Sequence, residues 1–430
     1  MKFERWNKTK LEEIVEINPR TSLKKGTVTK KVAMEHVKEF TRKISGFEVT
    51  EFKSGSKFIN NDTLMARITP CLENGKTAYV DILEDDEVAF GSTEFFVLRS
   101  KEGKSDSKFI YYLSISEEFR KVAIQSMTGT SGRQRAQKDS LLNYELSVPS
   151  LKEQKKIGKI LSLYDEKVES NNAIISNLEE LAQTLFKHWF VDFEFPNEKG
   201  KPYKSSGGAM VESELGMIPE GWKVEALGDV TEIQNGYAFK SKDYVSKGVK
   251  VLRTLNIDDS GLLIRNNDLR FLPENFYQDD RYKKQRLEQF DTLLVMVGAT
   301  IGKIGIVLTP NLPALQNQNM WRFRSKRLDV TNPYIYLLLQ NLIEKMMGYK
   351  SGSAREFFRK ESFLKEKVVI PNTKSLDNLK VFNDLFKQIN EIHSENQNLN
   401  EIRDTLLPKL LSGEIELPDD MEVTDDVPIS

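Results

Sequence analysis

The stretch that decides the architecture is IGKILSLYDEKVESNNAIISNLEELAQTL, residues 157–185. Its Ile157, Leu161, Tyr164, Val168, Asn171, Ile175, Leu178, Ala182 and Leu185 recur at alternating spacings of four and three. That is a coiled-coil seam sustained for about four heptads. A second stretch, FNDLFKQINEIHSENQNLNEIRDTLLPKL, residues 382–410, repeats the pattern with Phe382, Leu385, Ile389, Ile392, Asn396, Leu399, Arg403, Leu406 and Leu410. At an offset of 221, Leu161 falls on Phe382, Tyr164 on Leu385, Val168 on Ile389, Leu178 on Leu399 and Leu185 on Leu406, with no gap. A rigid helix cannot absorb an insertion without rotating its seam, so gapless alignment marks two helices under one packing constraint. The first leads out of the N-terminal half and the second follows the C-terminal half, so a mutual pairing is antiparallel. About 29 residues at roughly 1.5 Å each would hold the halves roughly 40–45 Å apart. Asn171, Asn396 and Arg403 interrupt the apolar seam. Asn171 is read as setting the register, at a cost in stability.

Outward from the helices, the chain is written twice. Trp6-Asn-Lys-Thr-Lys-Leu-Glu-Glu-Ile-Val-Glu-Ile17 returns as Trp222-Lys-Val-Glu-Ala-Leu-Gly-Asp-Val-Thr-Glu-Ile233. Asn61-Asp62-Thr63-Leu64 returns as Phe290-Asp291-Thr292-Leu293, and each leads to a Gly-Lys pair, Gly75-Lys76 and Gly302-Lys303, before an apolar strand. Tyr144 to Pro149 returns as Glu366 to Pro371. The offsets drift between these matches, as they do when loops differ and a scaffold is shared. Within each half, short β-branched and aromatic runs such as Phe95–Leu98 and Met320–Phe323 predict strands. Lys108–Leu113 and Pro333–Leu339 read as helices, Asn332 and Pro333 forming a helix start. The fold class expected is α+β: two pseudo-repeated mixed domains separated by an antiparallel coiled coil. The boundaries expected are 1–150 and 222–371 for the domains, 151–190 and 375–412 for the helices, 191–221 for a Pro-, Gly- and Ser-rich linker and 413–430 for an acidic tail.

Composition narrows the function. One cysteine, Cys71, excludes a disulfide framework and a cysteine zinc site, and His36, His188 and His393 are scattered. No apolar run approaches a membrane span, and the first residues carry no apolar leader, so a cytoplasmic protein is expected. The net charge of −1 hides an asymmetry: Ser412–Ser430 holds seven acids and no base, leaving the remainder net basic. Lysines and arginines gather between Arg20 and Lys43 and between Arg265 and Arg286, where local excess attracts a polyanion. Two diverged domains on a rigid spacer would act as a ruler on a regular polyanion, reading two different half-sites of duplex DNA.

Here the chain resembles a known family, the specificity subunits of type I restriction–modification enzymes. The resemblance rests on Leu178 to Phe193, on Gly216-Met-Ile-Pro-Glu-Gly-Trp222, on Leu406 to Ile415, and on Pro149-Ser-Leu-Lys-Glu-Gln154 at the entrance to the first helix. The counterpart after Pro371, Asn372 to Asp377, lacks the Glu-Gln pair. The resemblance implies two target-recognition domains and two spacer helices that dock two modification subunits. Those partners bind S-adenosylmethionine and methylate adenine N6. Restriction subunits add ATP-driven translocation and nuclease activity with Mg2+. The chain itself would hold no cofactor and perform no chemistry, and it would sit on the nucleoid through its DNA.

The residues agree that a catalytic site of its own is not expected. Asn332-Pro333-Tyr334 lacks the second proline of an amino-methyltransferase motif. Gly298 to Lys303 is one residue short of a P-loop, with Ile304 in place of Ser or Thr. Base readout needs Arg, Lys, Asn or Gln on loops. The candidates in the first half are Arg67, Asn74 and Lys76, then Arg133, Gln134 and Arg135. Those in the second are Arg253, Thr300, Lys303, Gln318, Asn319 and Arg355. Lys24, Lys25, Lys30 and Lys31 are assigned to phosphates, which position without specifying. Two rivals remain at this stage: the specificity chain of a related system that cuts on both sides of its site, and a coiled-coil adaptor that binds no DNA. The basic loops count against the adaptor.

Overall fold

The structure is a computed structural model and describes residues 6–130, 132–257, 269–348, 359–371 and 378–418. The chain divides into two compact units, Met1–Ser170 with Asn398–Ser430, and Asn171–Gln397. Each long helix is therefore shared between them.

In the first unit, one antiparallel sheet orders Val15–Ile17, Phe95–Ser100, Thr63–Ala66 and Thr77–Tyr79. A second orders Glu48–Glu51, Val28–Val32, Ala89–Gly91 and Ser56–Phe58, the middle pair parallel. The second unit repeats the first sheet with Thr231–Asn235, Met320–Ser325, Thr292–Val295 and Ile304–Ile306. Its other sheet orders Arg270–Leu272, Val249–Leu252 and Ala314–Gln316, again antiparallel then parallel. Each unit also pairs a strand that opens it with one before the long helix. Asn7 lies opposite Val148, and Lys223 opposite Ile370. The first sheet and the opening strand pair repeat in matching register, while the other sheet has four strands in the first unit and three in the second.

The repeated Asp-Thr-Leu motif has a physical task. Asn61 and Phe290 take left-handed backbone angles, φ 54–70° being rare for such residues, here 69° and 66°. The next residue, Asp62 or Asp291, accepts the N–H of Ile59 or Glu288 and is clamped by an arginine from the neighbouring strand. Arg99 reaches Asp62 at 2.6 and 2.7 Å, and Arg324 reaches Asp291 at 2.7 Å twice. A bidentate pair of this kind fixes the start of a strand against its partner.

The first long helix runs Leu151–Phe186 and continues as one π-helical turn, Lys187–Val191. Its entrance is N-capped by Ser150, whose hydroxyl accepts the Glu153 N–H at 3.3 Å. Gln154 is buried and staples that entrance, donating to the carbonyls of Pro149 and Lys104 while accepting the Asp106 N–H. A Cβ at Gly158 would lie 2.7 Å from Asp106 Oδ1, so glycine there admits the Ser107–Ile115 helix. The second long helix runs Leu379–Leu411, and the residues before it, 372–377, lie outside those described.

Within each unit the two helices pair antiparallel. In the second unit Phe186 meets Phe382 and Asn171 meets Asn396, and in the first Asp165 meets Arg403. The numbers of facing residues rise on one helix as they fall on the other. Ile175, Ala182, Phe186, Phe382, Phe386 and Ile389 belong to the core of the second unit. Ile157, Leu161, Leu407 and Leu410 belong to that of the first. Tyr164, Val168, Leu178, Leu185, Ile392, Leu399 and Leu406 are half-buried.

The linker differs from expectation. Residues 191–221 are not a bare loop: Met210–Ser213 and Gly216–Pro219 form a hairpin, and Phe195 stacks between Tyr203 and Trp222 at 4.5 and 4.9 Å. Aromatic stacking on Trp222 organises a segment whose composition reads as solvent-exposed. The helix start near Asn332 also differs, since Thr331 supplies the cap, accepting the Tyr334 N–H, while Asn332 Oδ1 accepts the Ser325 N–H.

Candidate nucleic-acid interface

In the first unit, two loops that the sequence separates by some sixty residues lie side by side. Thr69 donates its N–H to Gln134 O, and Ala136 donates to Arg67 O. Thr128 and Arg135 exchange both backbone bonds. Arg135 is bidentate on Glu94, at 2.9 Å from Nε and 2.6 Å from Nη2. Arg67 lies over the Phe96 ring with its Nε 3.9 Å from the same carboxylate. Hydrogen bonds from Arg135, and the charge of both arginines, hold Glu94 below the usual carboxylate range. Arg133, by contrast, is exposed with no side-chain partner among the described residues, and Gln134 beside it is half-exposed and likewise unpaired.

The remaining first-unit candidates divide. Asn74 donates to Glu39 at 3.2 Å, and Lys76 to the Met34 carbonyl at 3.1 Å. Lys30 is paired to Glu87 at 2.7 Å and Lys31 to Glu48 at 2.9 Å. Burial pushes Glu87 up, but Lys30, Thr29 and a backbone N–H outweigh it and hold the carboxyl below its usual range. Lys24 and Lys25 are exposed and unpaired among the described residues. Of the four lysines assigned to phosphates, these two are the ones whose charge is uncompensated.

The second unit uses the same place. Gly298–Lys303 forms the turn between the Thr292–Val295 and Ile304–Ile306 strands, where a P-loop would lead into a helix. Met296 donates its N–H to Asn319 O, which joins this turn to the Asn317–Asn319 loop. The equivalent bond in the first unit runs from Arg67 to Glu94. Thr300 and Gln318 are exposed, and Asn319 takes a φ of 70°. Lys303 Nζ lies 3.5 Å from the Ile257 carbonyl, and Arg253 opens the Thr254–Asn256 turn, its N–H bonded to Asn256 Oδ1. Arg355 and its loop lie outside the described residues.

Among the described residues one grouping has metal-ligand types, Glu35, His36 and Glu48. It is committed elsewhere: Glu48 to Lys31, and His36 Nδ1 to the Ala33 N–H, which leaves the proton on Nε2. No helix of the described residues is long and apolar enough to cross a membrane.

The model of the type I restriction modification DNA specificity domain matches this chain twice, over residues 4–180 and 219–403. The chain belongs to that family. Its relatives include the MjaVIII specificity subunit of Methanocaldococcus jannaschii, 27% identical over 336 residues that cover 76% of this chain and 74% of the relative. The HindI specificity subunit of Haemophilus influenzae is 24% identical over 417 residues, covering 82% and 86%. Among solved structures, the S subunit of a type I restriction–modification system from M. genitalium superposes with a TM-score of 0.52 at 19% identity, covering 94% of this chain and 96% of that one. That last likeness is one of fold.

As a type I specificity subunit, the chain carries its divergence where the two copies of one sheet end in loops. Glu94 was not legible as a member of that surface, because an acid beside a strand reads as solvated. Its one sequence signal is position: it occupies the place of Asn319 in the other copy.

Proposed function

We propose that this chain reads an asymmetric, bipartite sequence in double-stranded DNA, one half-site per unit. The paired helices set the spacing and dock two methyltransferase subunits and the restriction subunits. What supports this is the contrast between a scaffold shared by the two copies and a loop that differs between them. The same strand end carries Arg67 beside Glu94 in one copy and Met296 beside Asn319 in the other. A shared frame with different groups at the corresponding tip is what two unlike half-sites require. Base readout falls to Arg133 and Gln134 in the first unit, unpaired among the described residues, and to Thr300 and Gln318 in the second. Lys24 and Lys25 take phosphates. S-adenosylmethionine, ATP and Mg2+ belong to the partner subunits, which carry the chemistry in the cytoplasm on the nucleoid.

The test is methylation mapping by single-molecule sequencing in cells that express this chain with its cognate modification subunit. A bipartite motif with a modified adenine in each half is expected. A stable complex that produces no new methylated motif would overturn the reading.

A further inference from the structure

Where the chain leaves the Val15–Ile17 strand of the first unit lies an open cleft of about 580 Å³, walled by Asn18–Ser22 on one side and Gly55–Lys57 on the other. Its size is that of a site for a small ligand or a backbone fragment. None of the residues assigned to DNA lines it. Arg20 and Lys57 do, and neither has an ion-pair partner among the described residues, Lys57 lying over the Phe52 ring. No carboxylate lines the cleft.

The neutral groups there are donors too. Asn18 spends its carbonyl oxygen on the Val97 N–H at 2.9 Å, which leaves its NH2 group for a ligand. Thr21 Oγ1 accepts from Arg99 Nη2, so its own proton is free to point elsewhere, and Ser22 adds a second hydroxyl. Both walls are held in shape. Asn18 has a φ of 54° and is fixed by its bonds to Val97. Gly55 has a φ of 146°, and a Cβ there would stand 2.3 Å from Gly91 O, so the wall admits only glycine. Rigid donors and two uncompensated cations around an acid-free cleft select an anion. In the second unit the chain after the equivalent strand goes instead to an aromatic cluster, Tyr237, Phe239, Phe276 and Tyr282.

We propose that the Asn18–Ser22/Gly55–Lys57 cleft holds a phosphate of the DNA backbone and so clamps the first half-site. This rests on the DNA reading given above, which the parent protein tests separately. Labelled cognate and shuffled duplexes are titrated, across a range of salt, with the complex of this chain and its modification subunits. With R20Q/K57Q, affinity for both duplexes should fall by the same factor, roughly tenfold, and the magnitude of the log–log salt slope should fall by about 1–2. R20K/K57R should keep both, which separates lost charge from lost folding. Unchanged affinity and slope in R20Q/K57Q would overturn the proposal, and so would a loss confined to the cognate duplex. Calorimetry with inorganic phosphate separates the other source. Phosphate binding that vanishes in R20Q/K57Q while duplex binding stays intact would make this a free-anion site and overturn the clamp. Should the parent complex fail to bind duplex at all, the DNA reading itself falls and the clamp with it.

Discussion

Arg133 and Arg135 stand two positions apart and are used differently. Arg135 is spent on Glu94, and removing it would free a carboxylate inside the loop pair. Arg133 is exposed and unpaired among the described residues, so on the proposed reading it is the one available to a base. Arg133→Ala should therefore weaken binding to the cognate duplex by ~1–3 kcal/mol, measured by anisotropy against a scrambled duplex. Equal loss on both would reduce it to a phosphate contact. His393 makes a different residue-scale prediction. Burial pushes its imidazole down to about 4 from an ordinary value of 6.5. Between those two values the unfolded chain takes a proton that the folded chain refuses, so stability falls as the pH drops from 6.5 towards 4 and is untouched above 6.5. At pH 5 the loss is about 1–2 kcal/mol, and His393→Gln should remove it. Denaturant midpoints of parent and variant at neutral and mildly acid pH make the comparison, and parallel declines in the two would sink the assignment.

At the scale of elements, the helix pair has a polar interior. In the second unit Asn171 donates to Asn396 and to Glu395, both at 2.8 Å, and Asn396 donates to Asn172. In the first, buried Asp165 joins Arg403 and accepts from Tyr112 at 2.6 Å, and Arg42 bridges Glu169 and Asp81. Burial alone would lower the Arg403 pKa, but Asp165 and then Asp404 hold it charged. Removing one partner of such a pair strands the other, so Asp165→Ala should cost about 3–5 kcal/mol. D165L/R403M, which removes both charges, should recover most of that in the same denaturation measurement. A double variant as unstable as the single one would mean the loss is one of packing.

The two helices themselves were legible, because a four-three seam is a local pattern. So were Asn171 and Arg403 as interruptions of it. The partner of Arg403 was not, since Asp165, which also accepts from Tyr112, meets it only across the fold, and a lone acid on a helix reads as surface. The hairpin at Met210–Pro219 was hidden for the opposite reason. Its Pro, Gly and Ser content is that of a loop, and the segment before it is ordered by Phe195 stacking on Tyr203 and Trp222, a pairing that composition does not show. The candidate interface was half legible: loop composition picked out the loops, but which side chains are spent on Glu39, Glu48, Glu87 and Glu94 depends on tertiary pairing.

At the scale of the whole molecule, the division between the compact units crosses both long helices, at Ser170/Asn171 and at Gln397/Asn398. Facing pairs flank it on either side, Asp165 with Arg403 and Asn171 with Asn396. An insertion in one helix alone would shift one pair against the other and turn polar residues out of their partners' reach. A whole heptad placed in both helices at that division restores every pairing, because seven residues keep the seam in phase. On the reading that these helices are the ruler, the lengthened pair adds about 10 Å, or about three base pairs at 3.4 Å each. Methylation mapping of the doubly extended protein should then return the parent's two half-sites with the spacer longer by about three. The singly extended protein should assemble poorly or methylate nothing. Parent spacing in an active, doubly extended protein would show that something other than the helix pair measures the DNA.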